Sequence, residues 1–509
     1  MAPLLSLAPG DDLSCSCPSS CSKITSAGKC SKDHFALESN TSLHIDSCTI
    51  CSLCSIPPAG RCALHAGHDK VGLSTFSERK QVMTLFSAPS SQTRMRSEQP
   101  VQPLQLAIFV VLSSLLALVR GYRGSRLFTI SDVEWYIALA EGHVERVMQP
   151  FAMRQLQPLV VRGLSHLTGF SVYSIFIALG FVSIVAVLTI VGGLLLRSGT
   201  PVWILIATGG CFFWADLVRG LALPDLWYAA LLALMLYALA NRQTLVAILM
   251  LFPLSLSRES TLLVLLCLLL AAWKRLSVVK RVLAFAATFA GSFITGRLSA
   301  NALANQQHVP GSLYVLGKIP WNFLKNIIGA YPWTPGMNVC TPTWQIHLPF
   351  GPIKVFGVCG WVLSLPLMTL FDGLTRFGLF PLLLLFFFPV RTWRSLWRES
   401  LFLRFCLIYG VISFLLAPML GTAVPRLFGY AWPLFMLAVP ACVPPIFKSG
   451  AKAWGFLAIH LIVSYLPDIE APLQISLPLA IVGYVVGWWL LRAAKEAPEA
   501  QPAAIVAFG

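Results

Sequence analysis

The sequence predicts an all-α polytopic membrane protein with about 11 to 12 transmembrane helices and an amphipathic helix in its first external loop. Three observations carry this. Of 509 residues, 56% are hydrophobic and only 11% are charged, against about 25% charged in a soluble domain. Mean hydropathy is +0.74. Uncharged apolar runs recur from Leu104 onward, at lengths near the roughly 20 residues of a helical span. Together they exclude a soluble cytosolic enzyme. They also exclude disorder, coiled coil and collagen for most of the length. Lys and Arg number 37 against 21 Asp and Glu, a net charge of +16. In a membrane chain such residues flank spans and set orientation, so no nucleic-acid partner is expected.

Residues 1–94 differ in kind. They hold eight of the 14 cysteines, are rich in Ser, and are nearly neutral. Cys48, Cys51 and Cys54, followed by Cys62, His65 and His68, have spacings that suit thiolate chelation. No apolar periodicity surrounds them to build a domain, and no signal-peptide pattern is present. This stretch is expected to be a disordered, dispensable leader. Met83 and Met95 are alternative starts, so the leader need not be native.

A membrane core is expected over 95–298. Leu104–Val119 is its first span, bracketed by Pro103 and Arg120. Phe170–Leu196 is the second, ended by Arg197; Val202–Val218 and Leu221–Ala240 follow. Thr244–Trp273 is interrupted by Pro253 and by Ser257-Arg258-Glu259-Ser260. Each half is too short to cross unaided, and such broken pairs line polar cavities. A basic loop, Lys274 to Arg281, precedes a span over Val282–Phe293. An external loop is expected over 299–352, C-terminal transmembrane helices over 353–495, and a tail over 496–509. With the N-terminus inside, Arg197, Arg242 and Lys274–Arg281 fall inside. Arg391, Arg394, Arg398 and Arg404 then fall outside, against the positive-inside rule. Either 298–352 contains a further crossing, or the spans around Asp372, expected at 353–371 and 377–390, are miscounted.

Acidic residues are few, and four of them share the first loop: Asp132, Glu134, Glu141 and Glu145. Val133, Tyr136, Ile137, Ala140 and Val144 recur at helical spacing, which predicts an amphipathic helix at the membrane surface. Ser131 and Glu134 fit a capping box, which leaves Asp132 unpaired. Glu134, Glu141 and Glu145 share a face and read equally as a solvated stripe. Arg154 stands between Pro150 and Pro158, where a guanidinium can clamp phosphate. Asp216, Arg219 and Asp225 cluster between the third and fourth spans. Arg258 and Glu259 form an intramembrane charge pair, by default a functional-site hypothesis, although a self-satisfied salt bridge is the plain alternative. Asp132, Arg154, Asp216, Arg219, Arg258 and Glu259 are expected to converge on one outer vestibule. His143, His166, His308 and His347 show no ligand spacing. No P-loop, dinucleotide fingerprint or Ser-His-Asp arrangement is present.

The segment Asp132-Val-Glu134-Trp135-Tyr136-Ile-Ala-Leu-Ala-Glu141-Gly142 is similar to the first-loop motif of the GT-C superfamily of polytopic membrane glycosyltransferases. Pro150-Phe151-x-x-Arg154-x-Leu156-x-Pro158 and Arg258-Glu259-Ser260 resemble motifs of bacterial members. The likeness covers roughly residues 104–300, and no large soluble C-terminal domain follows it. It implies a GT-C-like fold and a transferase of hexosyl groups using a polyprenyl-phosphate-linked sugar as donor. In that scheme Asp132, with Glu134 second, is the catalytic carboxylate that deprotonates an acceptor hydroxyl on the outer face. Arg154, Arg258 and Arg219 hold the donor phosphate, and Tyr136, Asp216 and Glu259 support them. No cofactor is expected and a divalent metal is not favoured. The partners are the lipid-linked donor and membrane lipids, and the location is a bacterial inner membrane. The alternative is a transporter or flippase of an anionic lipid or solute, using the same arginines without a base.

Overall fold

The computed structural model describes residues 101–123, 132–148, 151–210, 220–302, 319–332, 346–348, 351–353, 358–387, 400–421, 423–442, 450–469 and 471–495. The chain divides into two compact units. One, residues 1–66 with 334–337, lies outside the described residues, and everything below concerns the other, residues 67–333 and 338–509. The expected leader, 1–94, and the tail, 496–509, also lie outside them.

The described residues are overwhelmingly helical. In order come α1 (Pro103–Arg123), α2 (Asp132–Glu141), α3 (Leu156–Thr168), α4 (Val172–Arg197), α5 (Val202–Gly210), α6 (Pro224–Ala240), α7 (Thr244–Leu249), α8 (Leu251–Ser257), α9 (Thr261–Ala272) and α10 (Val278–Leu298). A π-helical turn at Leu324–Ile328 precedes α11 (Ser364–Thr375), α12 (Phe380–Phe387), α13 (Leu401–Leu420) and α14 (Val424–Gly429). A second π-helical segment, Pro433–Ala438, leads into α15 (Val439–Cys442), and α16 (Ala451–Tyr465) and α17 (Leu473–Lys495) close the chain. Among the described residues, four helices are long and apolar enough to cross a membrane: Val172–Arg197, Val278–Leu298, Leu401–Leu420 and Leu473–Ala493. The protein is therefore a helical membrane protein by the length and composition of its own helices.

A departure from all-α lies between α10 and α11. Four short strands, β1 (Ala330–Pro332), β2 (Ile346–Leu348), β3 (Gly351–Ile353) and β4 (Val358–Trp361), form two antiparallel pairs, β1 with β4 and β2 with β3. The β1–β4 register breaks at Pro332, a residue with no N–H to offer a ladder.

Local chemistry explains the helix ends that matter. Ser171 and Ser277 cap α4 and α10 by accepting from the amides of Ser174 and Lys280, as N-cap hydroxyls do. Gly142, at φ 96°, ends α2 in a conformation that favours glycine. Glu145 therefore lies beyond α2 in a 3-10 turn, 3.3 Å from His143, and leaves the stripe expected with Glu134 and Glu141. The break expected in Thr244–Trp273 is present: α8 stops at Ser257, Arg258 is extended, and α9 starts at Thr261.

Among the described residues, two of four apolar clusters hold most of the buried side chains. The larger unites α1, α4 to α10 and the C-terminal helices. The smaller buries Val133, Tyr136, Leu139 and Ala140 of α2 against Val161, Phe176, Leu223 and Ala302. These α2 side chains pack against the bundle, with Ile137 half-buried.

Contacts at helix ends give the directions. Arg197, ending α4, donates to Asn241, just past α6. Arg404 in α13 donates to Ala271 O at the end of α9, and Lys452 in α16 donates to Ala493 O in α17. Phe371 packs with Leu473, Leu477 and Ala480. Leu374 lies with Ile481 and Tyr484, while a side chain at Gly487 would meet Leu379 and Leu382. The chain from 371 to 382 therefore runs once alongside α17. Of the two alternatives, a further crossing in 298–352 or miscounted spans around Asp372, this packing fits the second. α11 and α12 run in one direction, and Arg404 joins the end that carries Lys274, Arg275 and Arg281. Arg391, Arg394 and Arg398 lie outside the described residues.

Candidate functional site

Six charged side chains meet at the other end of these helices. Two arginines are tightly held. Arg154 is placed by a short 3-10 turn, Phe151–Met153, and by the Gln155 amide, which donates to Leu256 O in α8 at 3.1 Å. Backbone thus ties the loop to the helix break. The Arg154 guanidinium forks onto Glu259 through Nε at 3.2 Å and Nη2 at 2.7 Å, and its Nη1 donates to Tyr136 Oη at 2.8 Å. Arg258 donates through Nη1 to Asp225 Oδ1 and to the Tyr430 hydroxyl, and Tyr430 donates to the same carboxylate oxygen. The Arg258 guanidinium also lies over the Tyr430 ring, 4.7 Å from its centroid, a favourable cation–π placement.

A third arginine closes the figure. Arg426 Nη1 lies 3.7 Å from Asp132 Oδ2 and 3.7 Å from Asp225 Oδ2. Asp132 and Tyr136 are one turn apart on α2, and Arg258 and Glu259 are neighbours in sequence. Asp132, Arg426, Asp225, Arg258, Glu259, Arg154 and Tyr136 therefore form a closed ring of alternating charge, completed by one phenol. Its charges balance, three cations against three carboxylates.

Burial varies around the ring. The side chain of Asp225 is 1% exposed, and Arg154 and Arg258 are 6% exposed each. Arg426 is 19% exposed, Glu259 23% and Asp132 26%. The deep wall is Asp225 with Arg258; the accessible edge is Asp132 with Arg426. Buried charges persist only when paired and hydrogen-bonded, which the deep wall satisfies. Burial pushes the Tyr136 hydroxyl above the ordinary phenol range, opposed by the Arg154 charge. It therefore stays protonated as it accepts from Arg154. Burial works against the Arg154 charge, but Glu259, Tyr136 and Asp225 together more than offset it and hold that guanidinium well above its usual value.

The residues expected from sequence fall as follows. Asp132, Tyr136, Arg154, Arg258 and Glu259 are brought together. Glu134 points away, exposed on α2. Asp216 and Arg219 lie outside the described residues, as does Ser131, the partner of the expected capping box. One expectation is corrected, and one alternative set aside. Asp132 is not unpaired, because Arg426 stands beside it. Arg258 and Glu259 do not simply neutralise one another, since each takes a partner from a distant segment. Sequence reasoning missed Arg426 and Tyr430 and gave Asp225 no role. A signal existed: Val424-Pro-Arg426-Leu-Phe-Gly-Tyr430 places a lone arginine and a tyrosine four residues apart, the spacing of helical neighbours, between two apolar runs.

Comparison with protein-family models and with curated proteins finds no match to the chain.

Proposed function

We propose that the chain is an integral membrane glycosyltransferase of GT-C type that moves a sugar from a polyprenyl-phosphate donor to an acceptor hydroxyl on the outer face. One observation carries the reading: a partly accessible carboxylate, Asp132, stands beside an arginine at the rim of a buried, charge-balanced ring. Transfer from a lipid phosphate needs those two functions side by side. Asp132 takes the acceptor's proton as its oxygen bonds to the anomeric carbon. The bond from that carbon to the phosphate oxygen breaks, and the prenyl phosphate leaves, its charge met by guanidinium.

The directions of the helices support an outward placement. The ring lies at one end of α6, α9 and α13; Arg197, Arg242, Lys274, Arg275, Arg281 and Arg404 gather at the other. The positive-inside rule makes that second end cytoplasmic. It also agrees with a multi-pass arrangement of about 12 traverses in a bacterial inner membrane. α9 has 12 residues, about 18 Å of helix against about 30 Å of hydrocarbon. Arg258 and Glu259 then sit below the outer surface, where a prenyl phosphate has its headgroup.

The test uses the full chain in vesicles with a sugar-labelled polyprenyl phosphate, a membrane extract supplying acceptors. Transfer of label off the lipid is expected. Movement of intact donor between leaflets without its consumption would favour the flippase instead.

A further inference from the structure

Among the three arginines of the ring, Arg426 alone stands at the accessible edge without a hydrogen bond to a ring carboxylate. Every nitrogen of the Arg154 guanidinium already donates, two to Glu259 and one to Tyr136. Arg258 is sealed between Asp225 and the face of Tyr430. Arg426 differs in each respect. Its two carboxylate neighbours stand at 3.7 Å, beyond hydrogen-bond reach. Its Nε is buried without a hydrogen-bond partner, and so is Asp225 Oδ2 opposite. An unfilled buried donor costs free energy until something fills it. A guanidinium with open N–H groups, held between two carboxylates but bonded to neither, is ready to turn onto an incoming anion.

We propose that Arg426, not Arg154 or Arg258, is the residue that takes the anionic phosphate oxygen of the ligand, and that the other two are positioning residues. This rests on the prenyl-phosphate reading and revises its assignment of the phosphate ligands. Arg154 pins α2, through Tyr136, to the helix break through Glu259, and so sets where Asp132 stands. Arg258 holds Asp225 in place behind Arg426. When Arg426 turns onto phosphate it leaves Asp132, whose carboxylate then faces the acceptor without a competing cation. Donor therefore binds before acceptor.

The experiment measures binding of a short-chain polyprenyl monophosphate and of the matching polyprenol to the full chain in nanodiscs, by quenching of tryptophan fluorescence. Wild type should prefer the phosphate. Arg426→Gln should weaken phosphate binding at least about tenfold, as loss of a charged hydrogen bond does, and leave polyprenol binding unchanged. Arg426→Lys, which keeps the charge, should recover part of the loss. Arg154→Lys should keep the phosphate preference while lowering turnover at saturating donor, a change in kcat without one in donor KM. An Arg426→Gln protein that still prefers phosphate as wild type does would overturn the proposal alone. The same holds if Arg154→Lys abolishes that preference. A wild-type protein that does not distinguish phosphate from alcohol would overturn the proposal together with the prenyl-phosphate reading.

Discussion

Removing Arg258 leaves Asp225, the most buried carboxylate of the ring, with only the Tyr430 hydroxyl and the more distant Arg426, whereas removing Arg154 leaves Glu259, which retains contact with solvent. Breaking a buried pair by deleting one partner costs about 3–5 kcal/mol when the remaining charge is fully enclosed, and less when water reaches it. Arg258→Gln should therefore lower the unfolding temperature of the solubilised protein more than Arg154→Gln does. Equal losses, or the reverse order, would show that the ring is not graded by depth. Glu134→Gln should change neither stability nor activity appreciably, because Glu134 is exposed on α2. At this scale the sequence was informative about which residue types carry chemistry and poor about their pairing. Asp132, Arg154, Arg258 and Glu259 stand out because charge is rare in an apolar chain. Arg426 lies more than 160 residues further on than Arg258, and no local pattern connects it to the first loop.

The elements place the ring through close helix contacts, and α8 against α10 is one of these. A side chain at Gly291 would run into Ser255 and the Phe252 carbonyl. Gly291→Ala should push α8 from α10 and cost about 1–3 kcal/mol, as overpacking does. α8 ends where Arg258 begins, so donor binding should weaken with stability. A Gly291→Ala protein with wild-type melting behaviour would place that contact elsewhere. Helices were legible where charge or serine punctuated them: α4 ends at Arg197, and the broken segment divides at Ser257 to Ser260 as expected. The common direction of α11 and α12 was legible only as one of two alternatives. Arg376 and Gly378 interrupt an apolar stretch there much as a loop between two spans does, and only packing beside α17 shows the chain continuing in one direction.

At the scale of the whole molecule, ring and basic residues occupy opposite ends of the same helices, which predicts opposite sides of a membrane. With cysteine placed at 145 or at 452 in the full chain, a membrane-impermeant thiol reagent should label the first in intact cells and the second only after permeabilisation. Labelling of both from outside would separate the ring from the orientation argued for it. Composition alone established the membrane class, since 11% charge over 509 residues leaves no soluble alternative. Hydropathy does not record which helix ends meet, so the ring emerged only with the fold. Asp132 tests the central claim most directly. Asp132→Asn keeps size and polarity and removes the base. Consumption of sugar-labelled polyprenyl phosphate by the full chain should fall by about 10²-fold or more, while binding of the polyprenyl monophosphate is retained. Undiminished consumption by Asp132→Asn, in a protein that binds and folds as wild type does, would contradict the account.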